Sequence, residues 1–129
     1  MVITTTMASS RRLDALVRHM TTASSDSRRT FTAAELKCFD GADGAPVYVA
    51  VKGSVFDVSA SRAMYGPGGG YEFLGGKDAS RALGKMSLDP ADVKGDPVRI
   101  DDLSGHELDT LDDWFFKFKK KYPLVGLLA

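Results

Sequence analysis

Residues 47–58 limit what this chain can fold into more than any other stretch. Val47, Val49 and Val51 alternate with Tyr48, Ala50 and Lys52, which is the period-2 pattern of a β-strand. Lys52-Gly53 interrupts the pattern and Val55-Phe56-Asp57-Val58 resumes it, so a hairpin is predicted. From Ser61 onward the strand pattern is gone until Leu124–Leu128, which is apolar enough for a closing strand. So few strands in 129 residues allow only a small sheet, and the remainder reads as short helices. The expected class is α+β. At this length, with 43% hydrophobic residues, a single domain can bury a sufficient core without a covalent staple.

Helix starts are written plainly. Thr32 and Glu35 form a Thr-x-x-Glu capping box, with Phe31 and Leu36 placed as its hydrophobic staple. The helix it opens is expected over Ala33–Phe39, ending at Asp40-Gly41. Asp78 is a candidate cap for a short helix through Leu83, and Asp89-Pro90 reads as an N-cap followed by proline at the first helical position. Ser104 and Glu107 make a second capping box that opens the longest helix. Leu108, Leu111, Phe115 and Phe118 are expected on one face of it. Lys117, Lys119, Lys120 and Lys121 gather at its carboxyl end, where the macrodipole favours cations, and Pro123 terminates it.

Charge and ligand counts remove several function classes. Seventeen basic and seventeen acidic residues cancel, so the basic excess of a general nucleic-acid binder is missing. One cysteine, Cys38, forbids an internal disulfide and any multi-cysteine metal centre, and it reads as a small core or boundary residue. The two histidines, His19 and His106, are too few for a histidine-rich site, and His106 reads as a solvated first-turn residue. No apolar run approaches the ~20 residues that span a bilayer. Residues 1–30 differ from the rest: five arginines stand against Asp14 and Asp26, amid serine and threonine and without an aromatic residue. This segment is expected to be a disordered basic tail. Leu13, Leu16, Val17 and Met20 at helical spacing also suit a mitochondrial targeting segment.

The stretch from Tyr65 to Gly76 is the unusual one. It holds six glycines and a proline in twelve residues, together with Tyr65, Tyr71 and Phe73. Glycines let backbone pass close to something bulky while the aromatic rings supply contact surface. A phosphate-cradling spacing fails, because Tyr71 and Asp78 stand where a P-loop needs glycine and a hydroxyl residue. No Gly-x-Ser-x-Gly elbow is present, and Asp101, Asp102, Asp109, Asp112 and Asp113 lack calcium-loop spacing, so no catalytic residue is assigned.

Several of these pieces recur in one family. Phe31-Thr32-Ala33-Ala34-Glu35-Leu36, Val55-Phe56-Asp57-Val58, Tyr65-Gly66-Pro67 with Tyr71, and Gly76 to Leu83 occur in order. Leu111-Asp112-Asp113-Trp114, Lys121-Tyr122 and Val125-Gly126 complete the series. Over residues 31–129 the chain resembles the cytochrome b5-like haem/steroid-binding domain, in its membrane-associated progesterone receptor branch. The resemblance implies a small mixed sheet with short helices around a haem or ligand cleft. Electron-carrying members hold haem between two histidines, the first in a His-Pro-Gly-Gly loop, whereas this chain reads Gly66-Pro67-Gly68-Gly69. Bis-histidine electron transfer is therefore not expected.

The same resemblance implies Tyr71 as axial ligand of a non-covalent ferric haem b, with Tyr65, Lys121 and Tyr122 hydrogen-bonding around it. A phenol of pKa about 10 can exchange its proton for ferric iron, and phenolate is a hard oxygen donor that suits Fe(III). The implied role is noncatalytic haem handling or sterol metabolism, with a haem-thiolate monooxygenase as partner and a haem-stacked homodimer as assembly. Gly68-Gly69-Gly70 replaces the acidic residue and second proline common in the family loop, which raises the entropy of the free loop. Relatives commonly carry a membrane-spanning segment. This chain is expected to be intracellular, soluble or peripheral to endomembranes. A competing reading keeps the fold as an adaptor whose cleft, near Met64, Phe73 and Leu74, takes a sterol-like ligand or a protein partner without haem.

Overall fold

A computed structural model describes residues 29–95 and 97–129. The tail expectations for residues 1–28, and His19 with them, lie outside the described residues. The sheet has four strands: β1 (Thr30–Phe31), β2 (Tyr48–Val51), β3 (Ser54–Asp57) and β4 (Leu124–Leu128). Their order across the sheet is β1-β4-β3-β2. β2 and β3 form the expected antiparallel hairpin, β4 joins β3 antiparallel, and β1 joins β4 in parallel. β1 begins at Thr30, one residue ahead of the expected domain edge, and the Arg29 carbonyl accepts from the Leu127 amide at 2.7 Å.

The alternation of β2 has an unexpected consequence, because both of its faces are buried. Val47, Val49 and Val51 enter the larger core with Phe56, Leu111 and Phe118. Tyr48 and Ala50 point the other way, into a smaller core with Phe31, Leu36, Phe39 and Val55. There Phe39 and Tyr48 stack at 4.5 Å, and Phe31 meets both edge-on at 5.8 and 5.7 Å. The outer edge of β2 is covered as well: the Gly76 amide donates to Tyr48, Ala50 donates to Lys77, and Ala79 donates back to Ala50. A sheet edge with its backbone groups satisfied offers no template for pairing with another chain.

Among the described residues four α-helices pack around the sheet: α1 (Ala33–Leu36), α2 (Arg62–Tyr65), α3 (Ser80–Lys85) and α4 (Gly105–Lys121). Both predicted capping boxes are formed, at Thr32/Glu35 and at Ser104/Glu107. α1 is shorter than expected. After Leu36 the amides of Cys38 and Phe39 bond three residues back, to Glu35 and Leu36, so the last turn tightens out of α-geometry. Asp78 does not occupy the N-cap of α3. Ala79 does, and Asp78 Oδ1 accepts from the Ser80 amide at 3.0 Å and the Ser80 hydroxyl at 2.7 Å. Asp89 caps the short turn Pro90–Val93 as predicted, through the Ala91 amide. On α4 the buried face is Leu111 and Phe118 flanked by Trp114 and Phe115, while Leu108 is 41% exposed. Leu108 lies about 60° round the helix from Leu111, at the margin of the buried face.

Candidate functional site

The glycine-rich loop is built onto α2. Arg62 anchors that helix by donating to the carbonyls of Gly41 at 3.0 Å and Ala45 at 2.6 Å. The loop then closes on itself through backbone bonds from Gly66 to Arg62, Gly69 to Gly66, and Tyr71 to Met64 at 2.9 Å. The Glu72 carboxylate accepts from the Gly68 amide at 3.2 Å. Gly69 is required by space: a Cβ there would lie 2.6 Å from the Ala63 carbonyl oxygen and closer still to that of Met64. Gly70, by contrast, faces open space. The loop that composition describes as soft is thus pinned at Gly69, and the pin sets where Tyr71 emerges.

Tyr71 emerges at the mouth of a cleft that opens to solvent. Tyr65, Leu74, Ala82 and Leu83 form its buried wall, Trp114 of α4 bounds it, and Met64, Met86 and Leu88 form its rim with Tyr71. Met86 and Leu88 are 74% and 66% exposed, an apolar edge with nothing packed over it. Met86 ends α3 in a left-handed conformation with φ of 50°, which turns the chain outward to make that rim.

The two loop tyrosines differ sharply. Tyr65 is 5% exposed and Tyr71 is 40% exposed, with ring centroids 6.0 Å apart at 33°. Burial, reinforced by the neighbouring phenols of Tyr122 and Tyr71, pushes the Tyr65 hydroxyl up to about 12. Tyr65 therefore stays a neutral phenol at any physiological pH. Tyr71, at the cleft mouth, is the phenol a ligand can reach.

Lys121 and Tyr122 do not line the cleft. Tyr122 is buried with its hydroxyl 2.8 Å from Ser61 Oγ, and its ring lies 5.3 Å from Phe118. It stands behind Tyr65 and contributes to that residue's environment. Lys121 is exposed at the end of α4, with Nζ 5.5 Å from the Tyr122 ring. Of the apolar side chains expected near the loop, Met64 and Leu74 line the cleft, but Phe73 faces elsewhere. Residues 82–88 and Trp114 were not assigned to the site by sequence reasoning. Trp114 carries a signal, being a tryptophan on the buried side of an amphipathic helix.

Histidine ligation has no support among the described residues. His106 is exposed in the first turn of α4, eight residues and about 12 Å along the helix from Trp114. No group of three potential metal-binding side chains occurs among the described residues.

Residues 32–129 match the family described as Cytochrome b5-like Heme/Steroid binding domain. The chain belongs to that family. Probable steroid-binding protein 3 of Arabidopsis thaliana is 50% identical over 97 residues, which covers 74% of this chain and 94% of that one. Membrane-associated progesterone receptor component 2 of Rattus norvegicus is 36% identical over 101 residues, covering 78% of this chain and 46% of that protein. The match to membrane steroid-binding protein 2 of Arabidopsis thaliana, at 50% identity and 75% of this chain, spans only 41% of that relative. The solution structure of a putative steroid-binding protein from Arabidopsis superposes with a TM-score of 0.71 at 48% identity, over 79% of this chain and 98% of that one. A second Arabidopsis thaliana structure, described as having a cytochrome b5 like fold, gives 0.71 at 46% identity over 81% and 94%. The fold is thus cytochrome b5-like, with the expected small mixed sheet and short helices. Among the described residues of this family member no helix is long and apolar enough to cross a membrane.

Proposed function

We propose that this domain is a noncatalytic haem-binding module in which Tyr71 ligates ferric haem b. The observation that carries the reading is the accessible Tyr71 phenol on an apolar, open cleft, with no histidine lining it among the described residues. The lining suits a flat macrocycle: apolar side chains exclude water from a ring's faces while the open mouth leaves charged edges in solvent. Bound haem would supply an iron centre whose potential is set by its axial ligand, and a phenolate donor favours the ferric state. The rest is done by this chain's own residues.

Tyr71 holds its oxygen at the mouth because the Gly69 contact and the Met64 carbonyl fix its backbone. Tyr65, protonated and buried beside it, is the hydrogen-bond donor to the Tyr71 side. Tyr122, oriented by Ser61, supports Tyr65 from behind. We extend the reading to haem handling or sterol metabolism alongside a haem-thiolate monooxygenase, and to a homodimer stacked on the open haem face.

A second reading is favoured by the apolar rim of Met64, Met86 and Leu88 and by relatives named steroid-binding proteins. In it the cleft holds a sterol-like ligand through apolar contact and Tyr71 is dispensable. Titration of the full chain with haemin and, separately, with progesterone separates the two. The haem reading expects saturable haemin binding that Tyr71→Phe removes. The sterol reading expects saturable progesterone binding that Leu74→Asp removes and Tyr71→Phe leaves intact.

A further inference from the structure

Successive residues of the turn Glu72–Leu74 face two different hollows. Leu74 lines the tyrosine cleft, whereas Phe73 lines a second, open hollow. Lys37, Lys77 and Lys94 line this second hollow together with Phe73, Pro90 and Val93. The three lysines come from three separate segments, and the backbone brings those segments together at this hollow. Gly76, at φ of +73°, lets the turn it ends pass the end of α1 so closely that a Cβ would be 3.3 Å from Lys37 Cα. That approach sets Lys77 beside Lys37. Lys94 arrives at the end of the turn Pro90–Val93, and the chain leaves at once through Gly95 at φ of +110°.

Among the described residues none of the three lysines has an ion-pair partner. Among the described residues the carboxylates of the neighbouring segments have other partners: Asp92 with Arg81, Asp89 with the Ala91 amide, Glu72 with the Gly68 amide. Asp40 accepts from Ala42, and Asp78 is turned toward Ser80, where burial raises its pKa. A hollow lined by one sign of charge focuses its field on whatever enters. Lysine is a compact point charge suited to phosphate oxygens, and a half-buried phenylalanine, a proline and a valine offer an apolar seat beside it.

We propose that this hollow is an anion site for a phosphate ester or pyrophosphate, its phosphate held by Lys37, Lys77 and Lys94 and its organic body resting on Phe73. The site is separate from the tyrosine cleft and does not depend on what that cleft binds. The phosphate can belong to a free small molecule or to a phosphoinositide headgroup.

The test titrates the full chain with inorganic pyrophosphate by calorimetry, and with phosphatidylcholine vesicles carrying phosphatidylinositol 4-phosphate by sedimentation. Saturable binding is expected, weakened at least about tenfold by Lys37→Gln/Lys77→Gln/Lys94→Gln, the change expected when charge-assisted bonds are lost. The charge-matched control Lys117→Gln/Lys119→Gln/Lys120→Gln and the Tyr71→Phe variant should bind like the parent. Pyrophosphate binding without vesicle binding assigns a free phosphate ester, and vesicle binding that pyrophosphate displaces assigns a headgroup. Should the triple variant fail to fold, Lys94→Gln, at an exposed position, must weaken binding, and amide shifts in the parent must fall at residues 73–77 and 90–95. Absence of binding to both probes, equal loss in the two triple variants, or shifts confined to other segments overturns the proposal.

Discussion

The rings of Tyr65 and Tyr71 lie 6.0 Å apart on one cleft, the first buried in its wall and the second exposed at its mouth. Five residues of glycine-rich loop separate a phenol locked in its neutral form from one open to a ligand. Substitution at the two positions should therefore have different consequences. Tyr65→Phe should alter stability at alkaline pH, and Tyr71→Phe should alter ligand binding while leaving the fold intact.

The alkaline effect has a definite sign. The Tyr65 hydroxyl titrates near 10.0 when unfolded and is pushed up to about 12 in the fold, chiefly by burial. Its contribution to stability is complete below pH 10 and is lost as pH rises through 12, because the unfolded chain releases the proton first. Tyr48, raised for the same reason, adds to the decline. Urea unfolding between pH 9 and 12 should show stability falling, and Tyr65→Phe should make that fall shallower. An unchanged slope in the variant would place the titrating group elsewhere.

Gly69 and Gly70 are neighbours with opposite tolerance. A Cβ at Gly69 collides with the Ala63 and Met64 carbonyls, whereas one at Gly70 meets nothing within 4 Å. Gly69→Ala should cost about 1–3 kcal/mol, the range of an overpacked contact, and should displace Tyr71. Gly70→Ala should be nearly neutral and should keep ligand affinity. Denaturant midpoints of the two variants give the comparison directly.

The second capping box offers a check on α4. Ser104 accepts from the Glu107 amide at 3.1 Å and Glu107 returns a bond to the Ser104 amide at 2.9 Å. Ser104→Ala should lower stability by about 1 kcal/mol without touching the cleft chemistry. A midpoint shift accompanied by lost ligand binding would mean that the helix start also positions Trp114.

What the sequence disclosed and what it withheld follow from range. Both capping boxes, the Asp89-Pro90 start and the Lys52-Gly53 turn are local, and each formed as written. Lys52 and Gly53 both take positive φ, 50° and 80°, as a tight two-residue hairpin turn demands. The parallel pairing of β1 with β4 joins the two ends of the domain, and no local pattern encodes it. Leu108 obeys the helical period yet lies 41% exposed, because the period marks the apolar face and not how wide a strip of it the core covers. The two loop tyrosines were assigned from their family setting, and the cleft brings them together. Lys121 and Tyr122, assigned with them, lie off it. The far wall at Ala82, Leu83, Met86 and Trp114 depended on how α3 packs against α4, which composition does not reveal.

The central claim is that the Tyr71 oxygen is what holds ferric haem, and the most direct measurement is resonance Raman spectroscopy of the haemin-loaded full chain beside Tyr71→Phe. Phenolate vibrations enhanced through the iron, present in the parent and absent in the variant, together with affinity reduced at least about tenfold, are the predicted result. Identical axial-ligand signatures and equal affinity in the two proteins would contradict it, and Tyr71 would then be a cleft-lining residue and no ligand.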